Sequence, residues 1–245
     1  MSTNIKTVLI TGASQGMGLD IARGFFAKGS NLVLNARNRA LLEAEAERLG
    51  APDRIAIVAG DIGDAAVGRE MVRVAVARFG SVDVLVNNAG IFGPKPFLEV
   101  TEDDLQRYWR TNLKGTYFTS QAAVRQMMRQ EGGSIINIGT VLIDHAMVGL
   151  PVTAPMTSKG AIHGLTVNLA AEVAPHNIRV NTVAPGIVRT PLHDPAQVDG
   201  LAGIHPLNRI GESGDITEAV LFLAENNFTT GVILPVDGGY VAARP

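Results

Sequence analysis

The sequence predicts a doubly wound α/β domain: a parallel sheet with helices on both faces, three layers in all. Three observations carry that prediction. Seven short runs rich in β-branched residues recur along the 245-residue chain, and longer helical stretches separate them. A glycine cluster also stands where the first run ends and the first helix begins. Strands alternating with helices form βαβ units, which build a parallel sheet buried on both faces.

Thr7–Thr11 reads as the first buried strand, with a helix over Gly18–Lys28. Asn31–Asn35 is the second strand, followed by a helix over Arg39–Leu49. Arg54–Ala59 and Val82–Asn87 are the third and fourth strands, with a helix over Ala65–Phe79 between them. One long helix is expected over Glu102–Gln130, then a strand at Ser134–Ile138 and a helix over Ser158–Ala174. Ile178–Ala184 and Val232–Val236 complete the strands. The stretch Thr190–Ile216 lacks strand character and holds three prolines and four glycines. In a doubly wound fold such a segment caps the crevice at the strand C-termini, so residues around 190–216 are read as a substrate lid. No repeat or linker divides the chain, and 1–245 is read as one domain.

Composition narrows the function. The 21 basic and 23 acidic side chains leave a net charge of −2, which supplies no field for nucleic acid or an anionic membrane. No run approaches the roughly 20 apolar residues of a spanning helix. The polar Met1–Lys6 leads directly into the first strand, so no signal peptide is expected and a cytoplasmic location is. With no cysteine, thiolate metal sites and cysteine nucleophiles are excluded, and no metal site is expected. The expected partner is a small-molecule substrate.

The first strand runs into Thr11-Gly12-Ala13-Ser14-Gln15-Gly16-Met17-Gly18. Glycines permit the tight turn and let backbone N–H groups approach a pyrophosphate at the helix N-terminus, although turns are glycine-rich for other reasons too. The spacing G-x3-G-x-G resembles that of the short-chain dehydrogenase/reductase family. Asn87-Asn88-Ala89-Gly90 resembles its NNAG signature, and Thr111-Asn112-Leu113-Lys114-Gly115 its helix motif with a catalytic asparagine. Pro185-Gly186 and Val236-Asp237-Gly238-Gly239 match further landmarks, so the resemblance spans essentially the whole chain.

The resemblance implies a nicotinamide cofactor. An NAD site places an acid roughly 20 residues beyond the loop to bind the ribose 2′-OH. No acid lies between Asn31 and Leu42, where the chain reads Asn35-Ala36-Arg37-Asn38-Arg39. A guanidinium there can grip a 2′-phosphate, so NADP(H) is favoured, with Arg37 and Asn38 as contacts; the alternative is that Arg37 only begins a solvated helix. Asp61-Ile62 resembles the adenine-contacting pair, and Asp61 could instead be a helix N-cap. By position the resemblance adds Asn88, Ala89, Gly90, Lys159, Pro185, Gly186, Ile187, Val188 and Thr190 to the cofactor contacts, beside Gly12, Ser14, Gln15, Gly16, Met17 and Gly18.

The family's chemistry uses Asn, Ser, Tyr and Lys, the tyrosine one helical turn before the lysine. Thr157-Ser158-Lys159-Gly160-Ala161 places the lysine at Lys159, and the position four residues earlier is Pro155. Proline neither donates nor accepts a proton through its side chain, while the first turn of a helix tolerates it. Tyr108, Tyr117 and Tyr240 lie far away in sequence, so no substitute tyrosine is expected. Asn137-Ile138-Gly139-Thr140 puts Thr140 at the serine position, where a threonine hydroxyl still donates a hydrogen bond. The interval from Thr140 to Pro155 is longer than the family's usual one, and the extended loop carries Asp144-His145.

Asn112, Thr140, Lys159, Asp144 and His145 are therefore the candidate catalytic residues, the last two balanced against a solvated loop. His163 reads as a packed or partly exposed helix residue. Two reductions fit. A ketone requires a proton for its alkoxide, from His145 or a water on Lys159 and Asn112; a protonated imine requires none, and Asp144 would favour its cation. The competing class is a non-catalytic NADP-binding sensor or scaffold. Leu192, Leu201, Ile204 and Leu207 suggest an apolar substrate wall, with His193 and His205 as lid histidines. The resemblance also implies a homo-oligomer, tetramer or dimer.

Overall fold

A computed structural model describes residues 6–191 and 198–243. Seven parallel strands form one sheet in the order β3-β2-β1-β4-β5-β6-β7. They are β1 Thr7–Thr11, β2 Asn31–Ala36, β3 Ile55–Ala59, β4 Val84–Asn87, β5 Gly133–Ile138, β6 Ile178–Pro185 and β7 Ile233–Val236. The order reverses between β1 and β4, the switch point at which doubly wound folds open a crevice. The register is continuous there, Val8, Leu9 and Ile10 pairing with Val84, Leu85 and Val86.

Strand residues alternate between two cores because successive Cβ atoms point to opposite faces. Val8, Ile10, Leu32, Leu34, Val84 and Val86 pack under helices α1 (Gly16–Ala27) and α2 (Arg39–Leu49). Leu9, Val33, Leu85, Ile135 and Val180 pack on the other face, under α3 (Ala65–Phe79), α5 (Gly115–Arg129) and α6 (Thr153–Val173). These runs read as continuously apolar because both faces are covered. The expected three-layer, single-domain architecture is the one observed, with α2 and α3 at the expected bounds.

Three local expectations are corrected. The stretch read as one helix over Glu102–Gln130 is divided into α4 (Glu102–Tyr108), a π-helical turn (Trp109–Lys114) and α5. Helix α6 begins at Thr153 rather than Ser158, which puts Pro155 in its first turn, where the missing N–H has no intrahelical partner to lose. A helix that the sequence reading did not place, α7 (Ser213–Glu225), starts inside the segment read as lid. Glu212 and Asp215 form its capping box, and Ile216, Val220 and Leu223 bury its inner face.

A buried polar chain braces the sheet at the C-terminal ends of β4 and β5. The Asn87 amide donates to Ser120 Oγ and Asn137 Oδ1, both at 2.9 Å. The Asn137 amide donates to Thr166 Oγ1 at 2.9 Å, and that hydroxyl pairs with Thr182 Oγ1 at 2.7 Å. Three strands and two helices are thus held in one register beneath the crevice.

Candidate active site

The loop between β1 and α1 is built for close approach. Gly12 and Gly16 have φ of +67° and +56°, the left-handed region that glycine enters without strain. A Cβ on Gly18 would stand 2.3 Å from both Asn88 Nδ2 and Gly12 O, so that position admits no side chain. The Asn88 amide donates to Thr11 O at 3.0 Å and Gly12 O at 3.1 Å, while Thr11 Oγ1 accepts from the N–H groups of Asn88 and Ala89. Gln15 at the N-cap makes no side-chain capping bond, and the first turn of α1 holds no acid. The N–H groups there face no competing carboxylate, so Gly12, Ser14, Gln15, Gly16 and Met17 form a cradle that fits a pyrophosphate.

Arg37 is exposed just beyond β2 and makes no ion pair among the described residues. Asn38 caps α2, its side chain accepting from Leu41 N at 3.2 Å. Asp61 is not a helix cap. The cap of α3 is Asp64, and Asp61 instead accepts from Gly63 N at 2.9 Å and pairs with Arg110 at 3.0 Å. Ile62 beside it is buried, against Gly115.

At the strand C-termini lies a cavity of about 330 Å³, the size of a small-ligand site. Met17, Asn88 and Gly90 line one side; Pro185, Gly186, Ile187, Val188 and Thr190 line another, and Thr140 and Lys159 face them. Ten of the 23 sequence-predicted cofactor and catalytic positions therefore meet in one place, while the rest of the phosphate loop, Arg37, Asn38, Asp61, Ile62, Ala89, Asn112, Asp144 and His145 do not line it. Leu201 and Ile204 cover it, as expected of lid residues, whereas Leu207 is exposed; Leu192 and His193 lie outside the described residues. Arg189 N donates to Gly211 O at 2.8 Å and Gly211 N to Ile187 O at 2.9 Å, which closes the base of that segment.

Lys159 donates from Nζ to Ile138 O at 2.7 Å, and burial pushes its pKa down to about 8. Asn112 is fully buried in the π-helical turn, a device that recurs at functional sites because it redirects one side chain. Its amide donates to Ser158 Oγ at 2.9 Å and Ile91 O at 3.1 Å, and its oxygen accepts from Ile91 N at 2.8 Å. A Cβ on Gly90 would stand 3.2 Å from Lys159 Nζ and 3.3 Å from Asn112 Oδ1, so both polar atoms flank the same glycine. Thr140 Oγ1 accepts from Leu142 N at 3.3 Å and retains its own proton to donate.

The structure does not bring Asp144 into the cavity. Asp144 is exposed, and its field acts instead on His163, whose pKa burial pushes down. His145 does not line the cavity either; it packs edge-on to the Tyr240 ring at 5.2 Å. Pro155 is buried and does not line the cavity; from α6 only Met156 and Lys159 do.

One residue was missed. Tyr240, distant in sequence, lines the cavity, and its hydroxyl makes only a long bond, 3.4 Å, to His145 O. The signal available was topological: the C-terminus of β7 abuts that of β6, and Tyr240 follows the Asp237-Gly238-Gly239 turn at once. His205 is buried rather than at a free surface, and Ile187 N donates to its Nε2 at 3.1 Å.

Residues 6–199 match the sequence profile of a family described as short chain dehydrogenase. The chain is 36% identical to an L-rhamnose 1-dehydrogenase (NAD(P)(+)) of a Sphingomonas species, over 96% of this chain and 95% of that one. It is 35% identical to a 3-oxoacyl-(acyl-carrier-protein) reductase of Thermotoga maritima, over 96% and 98%. A gluconate 5-dehydrogenase of Burkholderia cenocepacia, solved in complex with NADP and tartrate, superposes with a TM-score of 0.89 at 33% identity, covering 98% of this chain and 96% of that one.

Proposed function

The chain belongs to the short-chain dehydrogenase family of oxidoreductases, and from that premise we propose that it is an NADP(H)-dependent reductase of an apolar ketone. The observation that carries the proposal is that Met17 of the pyrophosphate cradle, Thr140 and Lys159 line one cavity of about 330 Å³. A bound nicotinamide would supply the hydride. Gly12, Ser14, Gln15, Gly16, Met17 and Gly18 would hold its pyrophosphate, with Arg37 and Asn38 at a 2′-phosphate and Asp61-Ile62 at the adenine. Asn88, Ala89, Gly90, Lys159, Pro185, Gly186, Ile187, Val188 and Thr190 would border its nicotinamide end.

The walls decide between carbonyl and imine. Among the described residues no aspartate or glutamate lines the cavity, and the buried Lys159 ammonium opposes a second cation, so an iminium substrate finds no counter-ion. A ketone oxygen, which gains negative charge, is favoured by both Lys159 and the Thr140 hydroxyl. Ile91, Phe92, Leu142, Leu150 and Ile204 make the remainder apolar, which suits an alkyl or aryl ketone better than a polyol. Asp144, exposed and outside the cavity, takes no part in this reduction, and Pro155 stands where the usual helix tyrosine would.

Oligomerisation follows from a second surface. Trp109, Tyr117 and Phe118 expose 50%, 46% and 36% of their area along a groove of about 1080 Å³ that Leu165 and Leu169 also line. A contiguous aromatic face of this kind suits a second copy of the chain.

The test is oxidation of NADPH by the purified protein, with NADH beside it, against matched panels of ketones and cyclic imines. Ketone turnover with NADPH is expected. Turnover of imines alone would reverse the carbonyl assignment, and tight NADPH binding without turnover of either panel would favour a sensor.

A further inference from the structure

We propose that Tyr240 is a substrate-contacting residue of this site: its hydroxyl holds the carbonyl oxygen beside Thr140 and gives it the proton that Pro155, at the usual tyrosine position, cannot give. The inference rests on the ketone-reductase reading and extends it to a named acid.

Most of the other polar groups in the cavity are already committed. Asn88 is spent on the phosphate loop, Lys159 Nζ donates to Ile138 O, and His205 Nε2 accepts from Ile187 N, while His205 Nδ1 is enclosed without a partner. Tyr240 differs: its bond to His145 O is 3.4 Å, at the weak limit of hydrogen bonding, so a carbonyl oxygen would displace little. Its ring is nonetheless fixed. His145 packs edge-on at 5.2 Å and 81°, His205 at 6.4 Å and 72°, and the preceding turn is tied by Asp237, which accepts from Gly239 N and Val241 N. A fixed ring with a loosely held hydroxyl is the arrangement a proton donor requires.

The chemistry balances with the reduced nicotinamide of that reading as the two-electron reductant. As hydride reaches the carbonyl carbon, the C=O π pair moves onto oxygen. The Tyr240 O–H bond breaks, a new O–H bond forms on the substrate, and water returns a proton to the phenolate. The charged and titratable groups around the phenol are His145, His205, Asp237 and, across the cavity, Lys159. Burial pushes the phenol pKa up, so the phenol is protonated at neutral pH and the phenolate formed on proton transfer takes a proton back from water.

Tyr240→Phe keeps the ring and removes the hydroxyl. With cyclohexanone and NADPH, kcat is expected to fall about 100-fold or more, with the KM for NADPH and the melting temperature unchanged. A second readout is independent of turnover. The chain has three tyrosines, so carbon-13 at Cζ gives separable resonances, and Tyr240→Phe assigns the third. Cyclohexanone added to the NADP+-loaded protein should move that resonance saturably.

A kcat within about threefold of wild type, or a static resonance in a protein that reduces cyclohexanone, overturns the proposal and leaves the reductase reading intact. A wild type that turns over no ketone while the resonance moves overturns the reductase reading, and with it the proton transfer, but supports the hydroxyl contact. Absence of both effects overturns both.

Discussion

Replacing Lys159 with methionine should make the protein more stable, not less. Burial lowers the lysine pKa from 10.5 to about 8. At about 1.4 kcal/mol for each tenfold change in proton affinity, that displacement is worth on the order of 3 kcal/mol against the folded state. The hydrogen bond to Ile138 O, worth about 1 kcal/mol, is already part of that balance, and its loss leaves a carbonyl to be satisfied by water. A net gain of about 2 kcal/mol at pH 7 is therefore expected for Lys159→Met. The sign with pH follows. Below pH 8 the amine is charged in both folded and unfolded chains, and the penalty is complete. Between pH 8 and 10.5 the unfolded chain binds more protons, so wild-type stability rises relative to the variant and the difference shrinks by about 3 kcal/mol. Urea denaturation of both proteins from pH 6.5 to 10.5 measures this directly. A variant less stable than wild type at pH 7, or a difference that does not change with pH, would refute the reasoning.

Arg37→Ala should raise the KM for NADPH about 10- to 100-fold, the worth of about 1.5–3 kcal/mol in charge-assisted hydrogen bonds, and leave NADH use unchanged; equal effects on both cofactors would count against a 2′-phosphate contact. Gly18→Ala places a Cβ 2.3 Å from two polar atoms, so thermal melts should show a loss of about 1–3 kcal/mol, and NADPH titration should show weakened binding. Trp109→Glu combined with Phe118→Glu should reduce the sedimentation coefficient to that of a single chain at micromolar concentration, while an unchanged coefficient would dissociate that face from assembly.

Most of the fold was legible because apolar runs in a parallel sheet stay continuous, while Asn38, Asp64, Gly50 and Gly80 mark helix ends by capping chemistry. Helix α7 was hidden by the prolines and glycines before it, although Glu212 and Asp215 carried its capping box in plain sequence. The π-helical turn at Asn112 has no sequence signature, because it arises from how α4 and α5 are fitted against α6 and the Ile91 backbone. The cradle could be read locally, since its residues are contiguous. His205 was named with the lid, but Tyr240 on the far wall was not: it reaches the cavity through the adjacency of β6 and β7, and distance along the chain is a poor guide to distance across a sheet edge.

The same end of the sheet also holds polar groups left without partners. Among the described residues, His163 Nε2 lies 2.8 Å from where a Gly139 Cβ would stand, His205 Nδ1 is buried without a partner, and Asn87 Oδ1 is orphaned at the last residue of β4. Each such group is worth about 1–3 kcal/mol against folding, and the desolvated Lys159 adds to them. Packing alone would favour an apolar replacement at Lys159, whose charge is desolvated. Arg54 Nε and Ser134 Oγ are also unpaired, near the N-terminal ends of β3 and β5, but the other three and Lys159 stand at the end where Met17, Thr140 and Tyr240 line the cavity, which accords with an end shaped by what it binds. A scaffold that had ceased to turn over would gain stability from losing Lys159, and its retention here accords with a working reductase.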